Sequence, residues 1–521
     1  MGENASAYHS LSVLPYYASF FLGICDAVCT QRFHQFCTPG SDVLYTVGSL
    51  GGLRLTYYPS DASLVQGIPS LLEVHASNSA QAGFTTERKG GRLMTLLILI
   101  LFIVMLCLAV PIGLAVAGTS ILPSLMSDSF TVSGVYILRS MLGGVNQTTL
   151  LAIPLFVFSG IIMARGSVSK KLFDVFAYFI GSYTAGIPCA CVVTCLFFGA
   201  ISGSAPATVA AVGSMTIPVM LEMGYPKKFA VALVAVSGGL GVIIPPSIPF
   251  ILYAQTSGVS VSDMFIAGIV PGFFIAFILM AYSWVYCRVN GENKKAIQKV
   301  VDELHRKSFW KVMADSIWAL ITPVIILGCI YTGVTSPTEA AAIAVFYSLV
   351  ISLFIYKTLK INELWGICVE AVRTYAPIMF VLASSVAFSR ILTLMQVPQL
   401  LSAWITNDFS SLIIILLVIN IILLFVGMVL DTTPAIILLT PILLPAAMVF
   451  GVNPIHFGII MVVNLAIGFV TPPIGVNLFV ASSLSGIPMM ELARKAYPMI
   501  ILFLIALLFI TFIPALSLCL V

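Results

Sequence analysis

From residue 94 onward the chain is a train of apolar segments, each near the roughly 20 residues that a ~30 Å hydrocarbon core demands of a helix. These runs, apolar without a period of two, predict membrane-spanning helices at 95–126, 148–164, 227–258, 263–288, 313–333, 337–357, 365–390, 454–486 and 495–520. Two further apolar blocks, 187–224 and 408–452, are interrupted near their middles by Ser, Gly, Thr and Pro. A helix broken at membrane depth strands backbone groups, which is tolerated only where the break is buried in protein or lines a wet cavity. Both blocks are therefore expected to be re-entrant helical hairpins. Residues 1–93 show no long apolar run and no sustained period, and are expected to be a flexible or non-native extension.

The punctuation of this pattern occurs twice. At an offset of 227 or 228 positions, Pro206 falls on Pro434, Gly224-Tyr225-Pro226 on Val452-Asn453-Pro454, and Gly241 through Pro246 on Gly468 through Pro473. Ser257-Gly258 then falls on Ser485-Gly486, Asp263 on Glu491 and Pro271 on Pro498. Five predicted crossings separate the two interruptions, an odd number, so the repeats are expected to be inverted. The organisation that follows is a first half, 94–288, with hairpin 187–224; a charged linker, 289–312; and a second half, 313–521, with hairpin 408–452. Lys227/Lys228, the linker, Lys357/Lys360 and Arg494/Lys495 fall on one face, which the excess of positive charge marks as cytoplasmic.

Composition narrows the class. Of 521 residues 60% are hydrophobic and 8% charged, against about 25% charged in ordinary soluble domains, which makes this an all-α integral membrane protein. The net charge of +4 is spread over loops, leaving no basic surface that could track nucleic acid. The 11 cysteines lie mostly in apolar runs and read as reduced small hydrophobes. No G-x-x-x-x-G-K-[ST] and no H-E-x-x-H is present, which argues against a nucleotide-driven pump and an intramembrane metalloenzyme.

Inverted repeats with matched discontinuous helices point to a secondary transporter whose site lies near the bilayer midplane. In Gly199-Ala200-Ile201-Ser202-Gly203-Ser204-Ala205-Pro206 small residues permit a tight tip, and Pro206 suits a first helical turn. The free amides and positive dipole end of the helix that follows attract an anion such as a carboxylate, while Ser202 and Ser204 supply hydroxyls. The matching tip, Gly427 through Pro434, adds Asp431, a carboxylate at a depth where ionised groups are costly and so have a job, either as a helix cap or in transport. The prolines Pro245-Pro246 and Pro472-Pro473 each remove two amide donors and so free carbonyls around Gly241–Ile244 and Gly468–Thr471. Free carbonyls with Ser or Thr hydroxyls suit Na⁺, and the duplication predicts two sodium sites, one at each tip and break. Candidate solute contacts are Ser204, Ser247, Asp431, Thr433 and Asn477; Asn464 and Asn477 either support the second break or face the solute. Glu339 and Asp263 read as helix-opening acids, and His456 as an interfacial residue beside a turn. Arg390 reads as a membrane boundary or a contact for an acidic solute.

At these residues the chain resembles the large membrane subunit of tripartite ATP-independent periplasmic (TRAP) transporters. The stretches that carry the likeness are Val110-Pro111-Ile112, Leu151-Ala152-Ile153-Pro154-Leu155-Phe156, Ser202 through Thr208, Ile244 through Pro249, Thr335 through Ala341 and Thr471 through Gly475. The resemblance implies an elevator-type carrier in the bacterial inner membrane, coupled to Na⁺. A small four-helix membrane subunit would complete its scaffold, and a periplasmic solute-binding protein would deliver a carboxylate such as a C4-dicarboxylate or sialic acid. It assigns Ser202, Ser204, Gly241, Ile244 and Pro246 to one sodium site, and Gly427, Thr432, Gly468 and Thr471 to the other. Two rivals stand beside it: a stand-alone sodium-dicarboxylate symporter, which would need no binding protein, and a channel, since re-entrant loops also build selectivity filters.

Overall fold

The structure, a computed structural model, describes residues 97–98, 100–102, 104–105, 108, 110–126, 134–306, 309–397 and 411–521. The extension 1–93 and the first residues of the block 408–452 lie outside the described residues. All regular structure among the described residues is helical, and nine of these helices are long and apolar enough to cross a membrane. The chain is an all-α integral membrane protein. Internal contacts divide it into a small unit, Met1–Val104 with Ile121–Arg139, and a large one, Met105–Ser120 with Ser140–Val521. The described part of the small unit includes the end of α1 (Ile112–Met126) and the start of α2 (Gly134–Val145).

In the large unit α3 (Ala152–Arg165) and α4 (Val168–Ile180) precede a helix pair, α5 (Gly186–Ser202) and α6 (Ala205–Glu222). A broken helix follows: α7 (Lys227–Ser237), a 3₁₀ stretch Gly238–Val242, and α8 (Ile248–Ser257). Next come α9 (Val261–Asn290), the short polar α10 (Lys294–His305), α11 (Phe309–Tyr331), α12 (Pro337–Val350) and α13 (Leu364–Leu394). The pattern then recurs as a pair, α14 (Leu412–Val429) and α15 (Thr432–Val449), a broken helix, α16 (Pro454–Gly468) with α17 (Val476–Ser485), and α18 (Met489–Phe512). Residues 513–521 close the chain with the single turn Ala515–Leu518. The apolar pattern did not predict α4, whose run is broken by Lys170, Lys171 and Asp174, and it started α18 late because Glu491, Arg494 and Lys495 occupy its opening turns.

Local signals account for most boundaries. Ser336 and Glu339 form a reciprocal capping box at the start of α12, and Ser260 accepts a hydrogen bond from the Asp263 amide at the start of α9. Both broken helices end alike: Gly258 and Gly486 take left-handed conformations as C-caps, and Ser257 and Ser485 each donate to the carbonyl four residues back.

The two copies interlock by exchange. Helix α6 of the first packs on α17 of the second while α15 packs on α8, and α7 packs on α18 while α16 packs on α9. Each contact is returned by its counterpart, as at an isologous interface between identical subunits. Cross-links reinforce it: the Tyr253 hydroxyl donates to the Pro454 carbonyl at 2.5 Å, the Asn477 amide to the Ala235 carbonyl at 3.1 Å, and Lys228 pairs with Glu491 at 2.6 Å. At the centre, α7 is buried from Phe229 and α16 from His456, so these two helices, apolar nearly all round, meet protein on every side. His456 is thus a core residue and not an interfacial one. It bonds the Thr511 carbonyl at 3.2 Å, beside a buried group in which Asn464 donates to Asn420 and Asn420 to Thr511. Beside these copies α3 packs against α12 and α13, and α4 against α5 and α11.

Candidate functional site

The first tip is made by three residues. Gly203, at φ +60°, turns the chain after α5 and donates its amide to the Gly199 carbonyl at 2.8 Å; Ser204 is extended, and α6 begins at Ala205 with Pro206 in its first turn. Ser204 occupies the N-cap position, yet its side chain accepts no hydrogen bond from the helix. The first intrahelical bond runs from the Thr208 amide to the Ser204 carbonyl, so the amides of Ala205 and Ala207 are spare at the tip. The hydroxyls of Ser202 and Thr208 lie 2.9 Å apart, and the Ser204 carbonyl lies 2.8 Å from the second and 3.3 Å from the first.

Behind this oxygen trio stands the first break. A β-carbon on Gly241 would sit 2.5 Å from the Thr208 hydroxyl and 2.8 Å from the Ser204 carbonyl, and one on Gly199 would sit 2.6 Å from the Gly241 α-carbon. Only glycines let the backbones of tip and break approach this closely. Converging hydroxyl and carbonyl oxygens beside bare backbone suit a hard cation of low charge.

The second tip repeats the close approach with different chemistry. A β-carbon on Gly468 would collide with the Gly427 carbonyl, and the Ile474 amide bonds the Met428 carbonyl at 3.3 Å. Asp431 caps α15, accepting from the Thr432 amide at 2.7 Å, and is itself exposed, whereas Thr432 and Thr433 are buried. At the positions matching Ser202 and Thr208 stand Leu430 and Ala435 or Ile436, so the hydroxyl pair of the first tip has no counterpart at these positions. The oxygens on offer are backbone carbonyls, the Asp431 carboxylate, the Thr432 hydroxyl beside it and the Thr471 hydroxyl, which donates to the Ile467 carbonyl at 2.7 Å.

The two tips meet in one cavity of about 640 Å³, within the range of small-molecule sites. Ser202, Gly203 and Ser204 line one side and Asp431, Thr432 and Thr433 another. Val157, Gly160 and Ile161 of α3, Thr374 and Ile378 of α13 and Phe469 of the second break supply apolar and hydroxyl wall, and Arg165 of α3 is ion-paired there with Glu370 of α13. Of the residues singled out in the sequence, Ser202, Ser204, Asp431, Thr432 and Thr433 are brought together here, with Gly241, Gly427 and Gly468 directly behind. The remaining candidate solute and sodium residues stand away from the cavity wall. Ser247 is enclosed, capping α8 while its hydroxyl donates to the Val242 carbonyl freed by the prolines, at 2.5 Å. Asn477 is enclosed against α7, Ile244 packs beside Gly272, and the Pro246 carbonyl lies near Gly203. Arg390 donates to Ser140 at 3.3 Å. Thr208, Arg165 and Glu370 were not singled out. Thr208 was legible as the hydroxyl one helical turn beyond Ser204, but no periodicity links Arg165 to Glu370, 205 positions away.

A carboxylate fixes the first helix pair at its base. Glu292, just beyond α9, accepts from the Ala185 amide, at the entry to α5, with both oxygens at 3.1 Å, and from the Tyr225 hydroxyl, at the exit of α6, at 2.6 Å. Burial and the adjoining Glu292 push the Tyr225 phenol well above its ordinary pKa, so it stays a donor.

Residues 99–516 match the family model described as the tripartite ATP-independent periplasmic transporter, DctM component. The isethionate TRAP transporter permease protein DctMQ of Oleidesulfovibrio alaskensis is 40% identical over 80% of this chain, which spans 64% of that relative's length. The C4-dicarboxylate TRAP transporter large permease protein DctM of Pseudomonas aeruginosa is 41% identical over 71% of this chain and 86% of its own. The 2,3-diketo-L-gulonate TRAP transporter large permease protein YiaN of Escherichia coli is 34% identical over 72% and 87%. Among solved structures, the YdaH transporter of Alcanivorax borkumensis shares the fold at a TM-score of 0.54 and 13% identity, covering 74% of this chain and 89% of that one.

Proposed function

The chain belongs to the DctM family of tripartite ATP-independent periplasmic transporters, as an inner-membrane large permease subunit, and on that premise we propose that it takes up an organic acid coupled to Na⁺. The observation that carries this reading is the convergence of both tips on one cavity, one with spare helix amides and the other with a carboxylate. The spare amides of Ala205 and Ala207, at the positive end of α6, suit the solute's anionic head, oriented by the Ser204 hydroxyl. Relatives named for C4-dicarboxylate, isethionate and 2,3-diketo-L-gulonate transport make a small organic anion the natural class, and a C4-dicarboxylate, sialic acid or similar carboxylate the first to try.

The oxygens at the tips support a reading with two sodium sites. Ser202, Ser204 and Thr208 with the Gly241 break would hold one ion, and the carbonyls at Gly427 and Gly468 with Thr432, Thr471 and Asp431 the other. Bound Na⁺ would offset the solute's negative charge and draw tip to break. In this reading both helix pairs are re-entrant and oppositely inserted. They move with the broken helices as one body in an elevator cycle, against a scaffold completed by a small four-helix membrane subunit, and a periplasmic binding protein delivers the solute. The test is uptake of radiolabelled C4-dicarboxylates and sugar acids into proteoliposomes holding this chain with and without both partners, with and without an inward Na⁺ gradient. Uptake that requires both partners and Na⁺ supports the reading. Uptake by this chain alone, or flux that ignores Na⁺ and never saturates, overturns it.

A further inference from the structure

The cavity carries a charge arrangement that the tips alone do not explain. Of the described residues lining it, Arg165 is the single cation, set among two acids, Glu370 and Asp431. An anion entering between two carboxylates is repelled unless cations answer it; the proposed Na⁺ ions and the partial charge of the spare amides at α6 act at the tips, and Arg165 is the protein's own full positive charge on the described wall. Arg165 ends α3 and Glu370 lies in the second turn of α13, two helices packed on each other outside the duplicated core. Although paired, their side chains remain 49% and 44% exposed, so neither is sealed in a protein interface. Glu370 presents to the guanidinium the group that a carboxylate solute would present, one carboxylate oxygen meeting one terminal guanidinium nitrogen.

We propose that Arg165 is a solute-binding residue that takes the acid's carboxylate by exchange with Glu370, a built-in stand-in that keeps the guanidinium extended into the cavity while no solute is there. The inference rests on the organic-acid reading above and adds to it the residue that selects for negative charge. Glu370 is then a positioning residue with a sign opposite to its partner's: it holds Arg165 ready and competes with the solute for it. A pair that only ties α3 to α13 predicts the same sign for both.

The test is solute uptake by the complete three-part system in proteoliposomes, normalised to the amount of this chain inserted, with solute varied at saturating Na⁺. Arg165→Gln should cut uptake at subsaturating solute about tenfold or more, as expected for the loss of a charge-assisted hydrogen bond, and Arg165→Lys should recover part of it. Glu370→Gln should lower the solute concentration giving half-maximal uptake. Arg165→Gln uptake within about twofold of wild type overturns the inference, as does a Glu370→Gln loss matching that of Arg165→Gln. Wild-type vesicles that take up no acid would instead defeat the functional reading itself, before any variant is compared.

Discussion

Gly199 and Gly241 touch backbone to backbone, and 228 and 227 positions further on Gly427 and Gly468 do the same. Each contact presses the first arm of a helix pair onto the break of the helix that follows, so tip and break are positioned by the absence of a side chain. Gly468→Ala, which meets the Gly427 carbonyl, should cost about 1–3 kcal/mol and abolish uptake, because a backbone cannot swing aside as a side chain end can. Gly143→Ala, where the added methyl meets nothing, should leave both unchanged. Thermal unfolding of the purified complex and uptake in proteoliposomes check the pair; equal behaviour of the two would refute the close-contact argument.

Asp431 both caps α15 and presents charge to the cavity, and two substitutions separate these roles. Asp431→Asn keeps a capping oxygen and should leave thermal stability nearly unchanged, while Asp431→Ala should cost about 1 kcal/mol. If the charge serves transport, uptake falls in both variants alike. Uptake that tracks stability would assign Asp431 to capping alone.

At the first tip Thr208 shares the Ser202 hydroxyl and the Ser204 carbonyl. Thr208→Val, close in shape but without the hydroxyl, should raise the Na⁺ concentration needed for half-maximal uptake several-fold. The solute dependence at saturating Na⁺ should move much less. A sodium titration decides; an unchanged Na⁺ requirement would remove Thr208 from the proposed ion site.

Glu292→Gln weakens the acceptor at both feet of the first helix pair and should cost about 1–3 kcal/mol, with Tyr225→Phe costing nearer 1 kcal/mol. Because the Tyr225 phenol titrates far above neutrality, stability contributed by this contact should stay constant between about pH 6 and 9. Thermal melts across that range test both statements, and a Tyr225-dependent slope would contradict the assigned donor.

Much of this was legible in the chain because Gly, Pro and Ser punctuate at fixed places. Pro206, Ser260, Ser336 and the paired prolines mark helix starts and breaks through local geometry, and local geometry repeats with the sequence. What escaped depends on tertiary proximity. Ser247 carries the same hydroxyl as Ser204, and Asn477 is a polar side chain in a broken helix as Ser247 is; only packing decides that these two turn to neighbouring carbonyls while Ser204 and Asp431 line the cavity. His456 beside a proline turn has the local signature of a surface residue, and burial against α18 is what makes it core. Arg165 sits at the end of an apolar run, where a charge ordinarily marks the membrane boundary, and its partner lies in a different span.

The exchanged contacts, α6 on α17 answered by α15 on α8, bear on how such a chain arose. Each copy covers surfaces that its own sequence leaves bare, and the central helices α7 and α16 are enclosed only when both are present. A half-length ancestor could have completed the same interior only by pairing with a second copy of itself across a two-fold axis. Gene fusion would then have freed the two tips to diverge, to the hydroxyls of one and the Asp431 carboxylate of the other.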